Sequence, residues 1–123
     1  MIPPTINIGT QVWTIVEHTS KEDGMLYEDN YGYTMERRNM IVLDKDASDS
    51  RKRQVLMHEV LHAIRFTFFT GSKMNPKLNF EDTEHYFIGT YEETLLMVFK
   101  DNPQLIEYLI GETNGKQEQI SNQ

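Results

Sequence analysis

The order of apolar and polar positions divides the chain into two parts. Through residue 45 the apolar side chains alternate or come in short runs, and no helical period is sustained. Ile6 and Ile8 alternate, Gly9 marks a bulge or a bend within one long strand, and residues 11–17 resume a β-rich run through Val12, Trp13, Thr14, Ile15 and Val16. Polar residues 19–24 predict a turn, residues 25–27 a short strand, and Asp29-Asn30-Tyr31-Gly32 a second turn. Residues 33–35 and 40–43 flank Glu36-Arg37-Arg38-Asn39, the pattern of a hairpin.

At Asp46-Ala47-Ser48-Asp49-Ser50 the pattern changes, because helix-capping residue types precede a run from about residue 50 to 69 without glycine or proline. At about 100° per residue, its apolar side chains between Val55 and Phe69 cover most of the circumference, which predicts the buried central helix of the domain. Residues 71–79 read as a loop around Asn75-Pro76. A second helix starts near Asn79 and runs to about Lys100, with Glu81, Asp82 and Glu84 suited to its positive end. Asn102-Pro103 reads as the N-cap and first position of a short third helix to Ile110, closed by Gly111. Strands first and helices after predict one α+β domain over residues 1–111, with a polar tail over 112–123 expected to be disordered.

Composition narrows the chemistry. The 123 residues are 38% apolar and 25% charged, enough for a small core. Twelve basic against nineteen acidic side chains give a net charge of −7, which argues against a nucleic-acid or anionic-membrane partner. There is no cysteine, so disulfides, thiol nucleophiles and thiolate metal sites are excluded, and any metal is held by histidine or oxygen ligands. No apolar run has the length of a membrane span, and Met-Ile-Pro-Pro-Thr at the start lacks a basic region followed by an apolar one, so a cytoplasmic protein is expected.

Within the predicted central helix stands His58-Glu59-Val60-Leu61-His62, an HExxH pattern with an expected chance count of about 0.01 for this composition. Residues four apart project from one helix face, so the two imidazoles can bind one zinc ion. Glu59 lies about 100° round the helix from His58, beside such a metal rather than on it. There its carboxylate can take a proton from a zinc-activated water and pass it to a leaving amine. Unpaired histidines on so apolar a helix would cost stability, a further reason to expect a ligand role.

A catalytic zinc needs a third protein ligand. Glu84, His85, Glu92 and Glu93 on the second helix are the candidates. Glu84 comes first because it shares a stripe with Ile88, Tyr91, Leu95 and Val98, the face expected to meet the central helix. Glu92 lies on a shoulder of that face, and Glu93 groups with Thr90, Met97 and Lys100 toward solvent. Tyr33, His85 and Tyr86 are candidate donors to a developing oxyanion. The basic residues Arg37, Arg38, Arg51, Lys52 and Arg53 read as a solvated turn and helix start, and Phe66, Phe68 and Phe69 as core.

With these residues the chain resembles a zincin, and in particular the small phage- and prophage-encoded metallopeptidases that are compact relatives in form of the ImmA/IrrE and SprT-like families. The matching pieces are the early strands, Tyr31-Gly32-Tyr33 before a strand ending Ile41-Val42-Leu43-Asp44, the segment from His58 to Ile64, and the later helix running into Asp101-Asn102-Pro103. The resemblance implies a minimal zincin-like sheet with His58 and His62 as zinc ligands, Glu59 as base, and an acid on the following helix, consistent with Glu84, as third ligand. It also implies that peptide or protein substrate adds as a strand to a sheet edge along the cleft, with Met40 to Asp44 as that edge and Met40 and Val42 as substrate-binding positions. The implied activity is hydrolysis of peptide bonds in a bacterial cytoplasm. The alternative is a catalytically inactive, zinc-stabilised protein-interaction module of phage origin.

Overall fold

A computed structural model describes residues 1–68 and 79–111. Phe69, most of the expected loop and the expected tail lie outside the described residues. Gly9 does not bend a single strand. It takes φ +61 at the first position of the two-residue turn joining strand β1 (Thr5–Ile8) to strand β2 (Gln11–His18), which pair antiparallel with Ile8 opposite Gln11. Glycine meets this conformation without steric cost, and hairpins whose first turn residue is left-handed favour it.

Strand β3 (Gly32–Met35) and strand β4 (Met40–Asp44) form the expected hairpin around a 3-10 turn at Glu36–Arg38, which ends at Asn39 with φ 48. Residues 25–27 form no strand; Leu26 is instead buried within the turns that precede β3. The sheet order is β1-β2-β4-β3, with β2 and β4 parallel and the other pairs antiparallel. The fold is therefore α+β, a four-stranded mixed sheet with three helices.

This order corrects the expectation for Met40 and Val42. Strand β4 is an inner strand: Met40 lies between Thr14 and Met35, and Val42 between Val16 and Tyr33. With both sides of its backbone ladder occupied, β4 has no edge to offer an added strand. Its unbroken apolar run, with Ile41, Val42 and Leu43 all buried, is what a strand covered on both faces needs. The edge is β3.

Helix α1 (Asp49–Phe68) lies against β3 and β4. Its buried positions are Leu56, Glu59, Val60, Ala63 and Ile64, a repeat of three and four residues that makes one inward stripe. The helix is thus buried on one face only, not round most of its circumference. Gly32 permits the close approach: a Cβ there would stand 2.6 Å from Val55 Cγ1 and 2.9 Å from the Val42 carbonyl oxygen. Trp13 Nε1 donates to Thr67 Oγ1 at 3.0 Å and Lys52 meets Glu17 at 2.8 Å, tying α1 to β2 at both ends.

Helix α2 (Phe80–Asp101) starts where expected, with the Asn79 side chain accepting from the Asp82 N–H at 2.8 Å. Helix α3 (Pro103–Leu109) follows, with Asn102 at its N-cap position and Gly111 in a left-handed conformation beyond its end. The Asn102 side chain, however, makes no cap bond. Its Oδ1 accepts from the Asn7 N–H and its Nδ2 donates to the Asn7 carbonyl, each at 2.8 Å, with a further 2.8 Å bond to the Val98 carbonyl. One side-chain amide thereby imitates a neighbouring strand on the outer side of β1. No described helix is long and apolar enough to cross a membrane.

Candidate metal centre

The four-residue spacing on α1 places the two histidine rings together. Their Nε2 atoms are 3.2 Å apart and their ring centroids 4.9 Å apart, edge to face. Two nitrogens bound to one tetrahedral zinc at about 2.0–2.1 Å would stand about 3.3 Å from each other, so the pair already has the bite such an ion requires. Both histidines lie on the solvent side of α1, with the His58 side chain 66% exposed. The expected burial cost of unpaired histidines therefore does not arise. The His62 ring also stacks on Phe66, with centroids 6.2 Å apart.

Glu59 is the inward neighbour of this pair, within the buried stripe, and is only 6% exposed. Thr34, on β3, donates its hydroxyl to Glu59 Oε1 at 2.7 Å and lies 3.3 Å from the Glu59 carbonyl oxygen. The other carboxylate oxygen, Oε2, is 4.0 Å from His58 Nε2. The carboxylate is thus held by one oxygen and has the other 4.0 Å from His58, where it would lie beside an ion held by the two imidazoles. Burying a carboxylate is costly unless positive charge or hydrogen bonds compensate. A cation on the two imidazoles would supply that compensation. The spacing of the histidine pair and the position of Glu59 are compatible with a divalent cation, and among the described residues no third metal-binding side chain joins them.

Thr34 has no sequence signal of its own. Its partner on α1 is met only through the packing of that helix on the sheet. His58 and Glu59 also line a cleft of about 400 Å³ with Asp29, Asn30, Tyr31, Gly32, Arg51, Gln54 and Val55. In the antiparallel pair, Asp44 N–H donates to the Tyr31 carbonyl at 2.8 Å. By alternation the backbone groups of Gly32 and Thr34 turn away from β4, toward the outer side of β3.

The remaining candidates lie apart from the pair. Glu84, His85, Glu92 and Glu93 are exposed on α2, and among the described residues none joins the histidines in a metal-holding group of three. The stripe that favoured Glu84 is only partly inward: Val98 is buried and Leu95 and Tyr91 are half-buried, but Ile88 is 50% exposed. Thr90, grouped with the solvent side, is buried and donates to the Tyr86 carbonyl. The helices do meet at Tyr91, whose hydroxyl donates to the Leu61 carbonyl at 3.4 Å.

Tyr33, a candidate oxyanion donor, is engaged elsewhere. Its side chain alternates to the sheet face opposite Thr34, where its hydroxyl donates to Asp23 Oδ2. His18 Nδ1 meets the same carboxylate oxygen at 2.7 Å, and the Met25 N–H donates to the other at 3.0 Å. The bonds from His18 and then Tyr33 hold the Asp23 carboxyl below its ordinary range. Burial, followed by that bond to Asp23, pushes the Tyr33 hydroxyl up to about 12. This cluster anchors the turns leading into β3.

Compared with protein-family models, with curated proteins and with solved structures, the chain finds no match in any of the three.

Proposed function

We propose that the protein is a small zinc-dependent peptidase of the bacterial cytoplasm, in a host cell if the chain is phage-encoded. His58 and His62 hold the ion. Glu84 is the first candidate for the third ligand and Glu92 the second. The observation that carries this reading is the 3.2 Å approach of the two Nε2 atoms with an oriented carboxylate oxygen 4.0 Å from one of them. When bound, zinc supplies Lewis acidity for a peptide carbonyl and for water. Thr34 fixes one oxygen of Glu59, so the base faces the histidine pair in a single orientation. Glu59 takes a proton from the attacking water and returns it to the departing amine. The outer edge of β3, unpaired among the described residues, can receive an extended peptide alongside.

A second reading is a catalytically inactive zinc-stabilised interaction module. It is favoured by the large apolar side chains Phe87, Ile88 and Leu96, all exposed on α2. Glu59→Gln separates the two. A peptidase keeps its zinc and loses about 10²–10⁴-fold in turnover of a peptide mixture, followed by mass spectrometry. Unchanged turnover in that variant contradicts the assigned base, and no turnover by the native zinc-loaded chain favours the interaction module.

A further inference from the structure

We infer that Arg51 is a specificity-determining residue of the cleft, recognising a carboxylate about three residues from the scissile bond of an extended peptide. This rests on the peptidase reading above. Three basic residues open α1, and two of them are engaged elsewhere. Lys52 Nζ meets Glu17 Oε2 at 2.8 Å, and Arg53 Nε donates to the Tyr108 carbonyl at 3.2 Å with its guanidinium 5.8 Å from that ring's centroid. Arg51 is placed differently. Its guanidinium lies 5.4 Å from the centroid of Tyr31, and one terminal nitrogen donates to Gln54 Oε1 at 2.8 Å. Arg51, Tyr31 and Gln54 all line the cleft that also contains His58 and Glu59. The ring and the amide orient the guanidinium but engage only part of its planar fork of donors, a geometry suited to a carboxylate.

The distance sets the position. Arg51 and His58 are two helical turns apart, about 10.5 Å along the axis. An extended peptide advances about 3.3 Å per residue, so it covers that span in about three residues. The edge strand keeps the same pace, with Thr34 at Glu59, Gly32 against Val55 and Tyr31 under Arg51. The recognised group is either an Asp or Glu side chain or the peptide's own terminal carboxylate. Asp29 lines the same cleft and opposes a second negative charge there. Removing its charge should therefore strengthen the preference.

The test uses alanine–glycine decapeptides with blocked ends and a single central Glu, the same peptides with Gln, and a Gln peptide with its carboxyl end free. Binding is read by calorimetry on Glu59→Gln protein, and cleavage by mass spectrometry on the native chain. The Glu peptide should bind about five-fold tighter than its Gln partner, with the difference shrinking as salt rises. Arg51→Gln should remove the difference, Asp29→Asn should enlarge it, and cleavage should fall about three residues from the Glu. A preference for the free-ended peptide instead assigns Arg51 to the terminal carboxylate. Equal binding of all three peptides, no measurable binding, or a preference that survives Arg51→Gln overturns the inference. Preference without cleavage overturns the peptidase reading and leaves Arg51 standing, whereas cleavage without preference does the reverse.

Discussion

The two edges of the sheet are finished in opposite ways. The outer side of β1 is covered by the Asn102 side chain, whose amide satisfies both the N–H and the carbonyl of Asn7. Among the described residues the outer side of β3 is the end of the sheet, and it borders the cleft that holds His58 and Glu59. Unpaired strand edges invite association, and proteins usually cover or blunt them. One edge here is closed by a buried asparagine, while the other adjoins the residues best equipped for chemistry. On the proposed function, the first edge serves stability and the second receives the substrate.

Substitutions that touch one edge and not the other test this contrast. The largest effect is expected from Gly32→Val, whose side chain would overlap Val55 and the Val42 carbonyl oxygen and lever α1 away from β3. We expect about 3 kcal/mol of lost stability by urea denaturation, with loss of zinc-dependent activity in whatever folds. Asn102→Ala should cost about 2 kcal/mol by the same measurement, since it removes three hydrogen bonds at a site only 7% exposed. Its zinc affinity should be unchanged, because β1 lies at the far side of the sheet.

Thr34→Val is milder and acts on the other edge. It should cost about 1 kcal/mol and lower turnover about ten-fold while zinc affinity holds, because the base loses its orienting bond. The smallest effect concerns the cluster that anchors the approach to β3. Asp23 is held below its ordinary value of 3.8, so its stabilising contribution is in force above that value and is lost as pH falls through the lower folded-state value. Tyr33 is pushed up to about 12, so its contribution is in force below its ordinary value of 10.0 and is lost as pH rises toward 12. Asp23→Asn should flatten the acid limb of a melting-temperature profile against pH and weaken the alkaline limb. An unchanged acid limb would count against the cluster's role.

Much of the fold was legible because it depends on local pattern. The helix limits, the start of α2 near Asn79, the Asn102-Pro103 start and the β3–β4 hairpin all follow from residues near one another in sequence. Strand order is non-local and was misread by analogy. Yet Ile41-Val42-Leu43 carried the signal of an inner strand, while Gly32-Tyr33-Thr34-Met35, more polar and interrupted, had the character of an edge. The apolar residues of α1 also overstate its burial, since only positions 56, 59, 60, 63 and 64 are buried. The histidine pair was legible from its spacing, but the role of Thr34 was not, because its partner is 25 residues away and met only through tertiary packing.

The central claim is that His58 and His62 hold a metal beside an oriented base. Zinc titration against a competing chelator tests it most directly, on the native chain, His58→Ala and Glu59→Gln. The account predicts about one ion per native chain, retained in Glu59→Gln and lost in His58→Ala. A native chain that takes up no zinc, or a His58→Ala variant that binds it as tightly as the native protein, would contradict the account.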